Sequence, residues 1–205
     1  DDLRVYRHAL DQDGVRELYQ STVRALELRF DESTGATRFF DHSGNDLSGA
    51  CSGDTCPVSG LGGLMNQAVR FDGVDDYVDV PLDLPETNYA VSLWFRTTCR
   101  NCGIFSADAG ALGSGGHDRD IYLSRSGSTG NLCAHVWNAE TICTSGTNYA
   151  DGQWHHVTHA VGNSVGGQKL YVDGQEAASG TKAAFDFTAQ TSVNIGFSNQ
   201  AGSNY

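Results

Sequence analysis

Hydrophobic positions along this chain alternate with polar ones in short runs instead of recurring at three- and four-residue intervals. "YAVSLWFRT" puts Val91, Leu93 and Phe95 on one face and Trp94 on the other, the pattern of a strand partly covered on both sides. "RALELRFD" alternates in the same way and predicts another strand. "QAVRFDGVDDYVDVP" holds two alternating runs around Asp72-Gly73 and predicts a hairpin, with Val78 and Val80 facing away from Tyr77 and Asp79. "DIYLSR", "NLCAHVWN", "ETICTS", "QWHHVTHAVG", "QKLYVDGQEAAS" and "SVNIGFS" follow in close succession, each closed by Gly, Asn, Asp or Ser. Asp173-Gly174 is a second hairpin signal. The stretch from 32 to 64 is rich in Gly, Ser and Asn and reads as loop.

Helical spacing occurs near the front, where Val15, Leu18 and Tyr19 follow Asp11 or Asp13 as cap. Just ahead of it, Leu3 and Val5 alternate with Arg4 and Tyr6 as in a half-buried strand. The sum is about a dozen strands and one short helix, an all-β fold of two packed antiparallel sheets.

Composition narrows the function. Among 205 residues, 25 glycines and a single Met suit short strands and tight turns. A formal charge of −12, from 25 acidic against 13 basic residues, repels a phosphate backbone and argues against nucleic-acid binding. No apolar run approaches the roughly eighteen residues that cross a bilayer, so no membrane span is expected. The chain opens on Asp1 and not on Met, which reads as an excised or processed piece.

Six cysteines fall as close pairs, Cys51 with Cys56, Cys99 with Cys102, and Cys133 with Cys143. Three local disulfides and an oxidising compartment are the favoured reading, with Cys133 and Cys143 opposite one another on the arms of a hairpin. A zinc site joining "CSGDTC" to "CRNC", and redox chemistry at "CRNC", are the rivals.

"FDGVDDYVDVP", "VSLWFRT", "YADGQWHHVTHAVG", "QKLYVDGQEAASG" and "VNIGFSN" stand in the order found in the laminin-G-like, concanavalin A-like jelly-roll modules of extracellular proteins, and over residues 25–200 the chain resembles that family. The resemblance implies a two-sheet antiparallel jelly-roll sandwich. It also implies that "DDLRVYRHAL" and the helix after it correspond to the family's closing strand and helix, here placed first. The expected organisation is a closing strand plus helix over 1–20 and a jelly-roll body lacking its last strand over 21–205. Leu3, Val5 and Tyr6 then complete a sheet, either their own or, as the short "QSTV" link favours, that of an identical subunit or adjacent repeat, head to tail. The rival is an ordinary strand-helix extension without exchange.

Candidate chemistry is sparse. "FFDHSGND" offers hard oxygen ligands on a bent loop. The resemblance implies a structural Ca²⁺ there, held by Asp41, Asn45 and Asp2, against an Asx turn bonded to itself. "WHHV" resembles the family's structural strand more than a catalytic cluster, with His155 and His156 on opposite faces. A Glu-x-Asp-x-x-Glu strand motif like that of the family's hydrolases is not present, nor is a phosphate loop or a nucleophile elbow, so an enzyme is not expected. The rim "SADAGALGSGGHDRDIYLSRSGST" carries Asp108, His117, Asp118 and Arg119 as a possible site for glycans or surface proteins. The function expected is an extracellular structural and adhesive module, with a carbohydrate-binding module of a secreted hydrolase as the alternative.

Overall fold

A computed structural model of the chain describes residues 24–109, 112, 117–124, 129–137, 140–182, 186–202 and 205, with 117 and 118 described in backbone only. The expected closing strand and helix, with Asp2, Leu3, Val5 and Tyr6, lie outside the described residues, as do the side chains of His117 and Asp118.

The strands in chain order are β1 (Arg38–Phe39), β2 (Gly49–Ala50), β3 (Val58–Gly62), β4 (Gln67–Arg70), β5 (Val78–Val80), β6 (Tyr89–Arg96) and β7 (Gly103–Asp108). They continue as β8 (His117–Leu123), β9 (Leu132–Val136), β10 (Thr141–Cys143), β11 (Trp154–Gly162), β12 (Gly167–Val172), β13 (Gln175–Gly180) and β14 (Ser192–Ile195). An eight-stranded sheet runs β1-β2-β5-β14-β7-β8-β9-β10, a four-stranded sheet runs β13-β12-β11-β6, and β3 pairs with β4 alone. All these pairings are antiparallel.

Alternation explains how the two large sheets meet. Val80, Phe105, Ala107, Ile121, Leu123, Leu132, Ala134 and Val193 come from the eight-stranded sheet, and Phe95, Val157, Leu170 and Val172 from the four-stranded one, into a single buried cluster. Two sheets that share one apolar interior form a sandwich. Each fully buried Leu, Val or Phe contributes about 1.5–3 kcal/mol of transfer free energy.

The Asp173-Gly174 hairpin joins β12 to β13, with both residues at positive φ, 50° and 79°. That is the type I′ geometry, which glycine adopts without penalty. All three cysteine pairs form disulfides. Cys133 and Cys143 are directly opposed in the β9–β10 ladder with Cα atoms 4.1 Å apart, and their disulfide ties the two adjacent strands together.

Three sequence expectations need correction. The Asp72-Gly73 turn does not close a hairpin: β4 pairs with β3, whereas β5 enters the eight-stranded sheet between β2 and β14. Phe71 instead turns aside to pack on Gly196, where a Cβ would sit 2.4 Å from its ring. Among the described residues, "RALELRFD" makes one bridge, Leu28 to Asp41, and forms no strand. The stretch read as loop contains β1, β2, β3 and a 3-10 turn at Gly53–Thr55.

Candidate functional site

The four-stranded sheet ends at β6, which pairs with β11 from Tyr89 to Arg96 and, among the described residues, with no strand on its other side. An eight-residue strand is long for an unprotected edge, because alternate N–H and C=O groups are left pointing outward. Its inward face is also incompletely covered. Phe95 is buried, but Tyr89, Val91 and Leu93 are only partly so.

Residues 24–30 supply a second backbone run against the same interior, with Leu26 and Leu28 packed on the core. Its hydrogen bonds go to the turn at 41–45. Glu27 N donates to Asp41 Oδ1 at 3.0 Å, His42 N donates to Glu27 O at 2.9 Å, and Asn45 Nδ2 donates to Arg24 O at 2.8 Å. Two runs therefore present apolar side chains to one core without a ladder between them among the described residues.

The same bonds fix the role of Asp41. Its Oδ1 accepts from Glu27 N and Ser43 N, and its Oδ2 accepts from Ser43 Oγ and Leu47 N, at 2.8 to 3.0 Å. Four donors occupy the lone-pair directions a carboxylate offers. Partial burial opposes the charge, but the bonds from Ser43, Glu27 and Leu47 prevail and hold the Asp41 pKa at about 2. Asn45 points its amide nitrogen at Arg24 O and Ala25 O. Asp41 and Asn45 are thus brought together as a turn that anchors residues 24–28.

A different acidic group was missed, although "DGVDD" packs three carboxylates into five residues. Asp72, Asp75 and Asp76 hold ligand oxygens within 4.8 Å of one another. Burial raises the Asp76 pKa, and the Asp72 and Asp75 charges add to it against the 2.8 Å bond from Asp72 N. Crowded carboxylates on a turn have the donor chemistry of a site for a hard cation.

Asp108 and Arg119 do not form a solvated rim. They lie inside β7 and β8, 1% and 0% exposed. Asp108 accepts from Ser106 Oγ and Asn194 Nδ2, and Arg119 donates to Glu86 O from Nε and Nη2. Nothing in a run such as "SADAG…HDRDIYL" shows that a distant carbonyl will receive the guanidinium.

"WHHVTH" divides as alternation requires. His155 faces inward between Asp151 and Asp173, at 3.2 and 2.9 Å. Burial works against its charge, yet the bonds to Asp173 and Asp151 raise its pKa above the ordinary histidine value. His159, 1% exposed, is driven down to about 4, because full burial disfavours the cation more than the bond to Gln168 favours it. Gln168 Nε2 donates to Glu140 O, which leaves Gln168 Oε1 to accept from His159 Nε2–H while Tyr89 O–H donates to Nδ1. His159 is therefore a neutral, satisfied core residue. His156 points outward, with its ring centroid 5.0 Å from that of Trp94.

Comparisons with known proteins agree with this architecture. The family model described as "Concanavalin A-like lectin/glucanases superfamily", of the laminin G group, matches residues 72–205. No curated protein sequence matches significantly. Among solved structures, domain 4 of an extracellular GH43 arabinanase from Geobacillus stearothermophilus has a TM-score of 0.51 at 24% identity, covering 76% of each chain. The mouse laminin alpha1 chain, domains LG4-5, has a TM-score of 0.44 at 17% identity over 59% of this chain, which spans 31% of that one. With most of its length matched and the sandwich in place, the chain belongs to the concanavalin A-like lectin/glucanases superfamily, in its laminin G family.

Proposed function

We propose that this chain is an extracellular structural and adhesive module, linked head to tail through a strand added at the open edge of β6. The observation that carries this reading is the edge itself: eight residues that, among the described residues, have no strand partner on one side, above core side chains that are only half-covered. A strand bound there gains main-chain hydrogen bonds for affinity and apolar pockets for register. "DDLRVYRHAL" has the length and alternation of such a strand, with Leu3 and Val5 at alternate, apolar positions. When the donor comes from the next copy, the contact is heterologous and grows as a filament. Three disulfides support an oxidising, secreted setting.

Light scattering after size exclusion, across a dilution series of the full chain, tests this. Concentration-dependent oligomers that Leu3→Asp and Val5→Asp abolish support donation. A concentration-independent monomer sinks it. Among the acidic turns, Asp72–Asp76 is the one whose carboxylates would hold Ca²⁺, supplying charge neutralisation to a crowded turn. Calcium is expected to raise the melting temperature of the wild type and not that of Asp75→Asn.

The second reading is a carbohydrate-binding module, as of a secreted hydrolase. The arabinanase domain with the same fold was solved in complex with arabinotriose. In this chain, the observation that favours saccharide binding is the aromatic groove formed by Trp94 and Trp154.

A further inference from the structure

The outer face of the four-stranded sheet carries side chains that the packing of the sandwich does not explain. Trp94 is 44% exposed in the middle of β6, although its hydrophobic body is among the largest in the protein. Alternation puts Arg96, Trp94 and Ser92 of β6 on the same outer face as Trp154, His156 and Thr158 of β11. Trp94, Trp154, His156, Asp173 and Gly174 line one groove, open to solvent, of about 460 Å³.

The chemistry of that groove is specific. Two indoles and an imidazole give broad apolar surfaces, and neither indole N–H has a hydrogen-bond partner among the described residues. Two charged side chains flank them. Arg96 lies over the Trp154 ring at 5.1 Å, and Asp173 accepts from His156 N at 2.8 Å and faces His155 Nδ1 at 2.9 Å. Next to Trp94 and His156, the row of Ser92 and Thr158 adds two hydroxyls, with Ser92 Oγ 2.9 Å from His156 Nε2.

A complementary ligand presents a flat C–H surface to the rings and hydroxyl oxygens to the N–H donors, and carries no negative charge, since Asp173 lines the groove and the chain as a whole is −12. A neutral saccharide has this combination. A peptide's apolar side chain would leave the donors unmet, and an anionic glycan would meet the net negative charge of the protein.

We propose that the Trp94–Trp154 groove on the outer face of β6 and β11 binds an uncharged saccharide, with the sugar ring stacked on Trp94. This rests on the carbohydrate-binding reading and gives it a place in the fold. It is compatible with strand addition at β6, because an added strand extends the sheet sideways and leaves its faces open.

The test uses the full chain, titrated with arabinotriose, xylotriose and cellotriose at millimolar concentration. The readout is tryptophan fluorescence, with retention on the matching insoluble polysaccharides in parallel. The expected result is a saturable change for at least one neutral sugar, weakened about tenfold or more by Trp94→Ala and less by Trp94→Phe. Circular dichroism and melting of both variants should stay close to wild type. Saccharide binding that Trp94→Ala leaves intact overturns the groove as the site while the carbohydrate-binding reading stands. Binding of none of the three sugars overturns both. Acrylamide quenching of wild-type Trp94 that appears only after Leu18→Asp would show the groove covered by the chain's own N-terminal residues, and overturns the site.

Discussion

Strands β11 and β6 are neighbours paired over eight positions with the same alternation of inward and outward residues, yet their surroundings differ. The inward Val157, His159 and Val161 of β11 are 0–2% exposed, while Tyr89, Val91 and Leu93 of β6 are partly open. β11 has a strand on each side and β6 on one. Sequence pattern alone therefore does not determine how deeply a strand is buried. The second neighbour does, and for β6 it is absent among the described residues.

The largest expected effect falls on β11. Val157→Asp places an unpaired charge where both sheets meet and is expected to cost more than about 4 kcal/mol, read as loss of cooperative urea unfolding. The mirror change on the edge, Leu93→Asp, should be milder, and equal losses would erase the distinction.

His159 gives β11 a pH dependence that β6 lacks. Its folded pKa of about 4 lies below the ordinary 6.5, so the folded state binds fewer protons between those values. Its contribution is complete above pH 6.5 and is lost as pH falls toward 4, about 3 kcal/mol in all. His155 has the opposite sign: with its pKa raised, its contribution is complete below pH 6.5 and is lost as pH rises through the folded value. Urea unfolding at several pH values should therefore show an acid loss that His155→Ala deepens.

A truncation at the edge sharpens the contrast further. Leu93→Ala is expected to cost about 1–2 kcal/mol in a chain whose β6 edge is open, and about 2–4 kcal/mol once a strand covers it. Chemical denaturation above and below the concentration at which oligomers form measures both. The smallest effect belongs to the turn that holds residues 24–28. Asp41→Asn should cost about 1 kcal/mol near neutral pH, allowing for solvent screening. The difference from wild type should vanish as pH falls from 3.8 through about 2, where Asp41 itself becomes neutral.

Much of the fold was legible where the signal was local. Val91, Leu93 and Phe95 share the inward face as their spacing required, Asp173-Gly174 closes its hairpin, and Cys133 faces Cys143 across theirs. Pairing partners far along the chain were not legible. The Asp72-Gly73 turn has the chemistry of a hairpin, but Phe71 docks on Gly196 and β5 continues into another sheet. The candidate sites were less legible still. A charged residue in a strand reads the same whether water or a buried carbonyl receives it, as Arg119 and Glu86 illustrate. An exposed Trp94 reads the same as a buried one until the opposite face is seen to be the core.

The margins of the eight-stranded sheet differ from the long edge at β6. β1 has two residues and β10 three, the latter tied to β9 by the Cys133–Cys143 bond. Margins that short give a foreign segment almost nothing to grip. On that sheet, among the described residues, a segment from another chain finds no outer row of backbone groups long enough to pair with, so its short margins guard it against edge-to-edge aggregation.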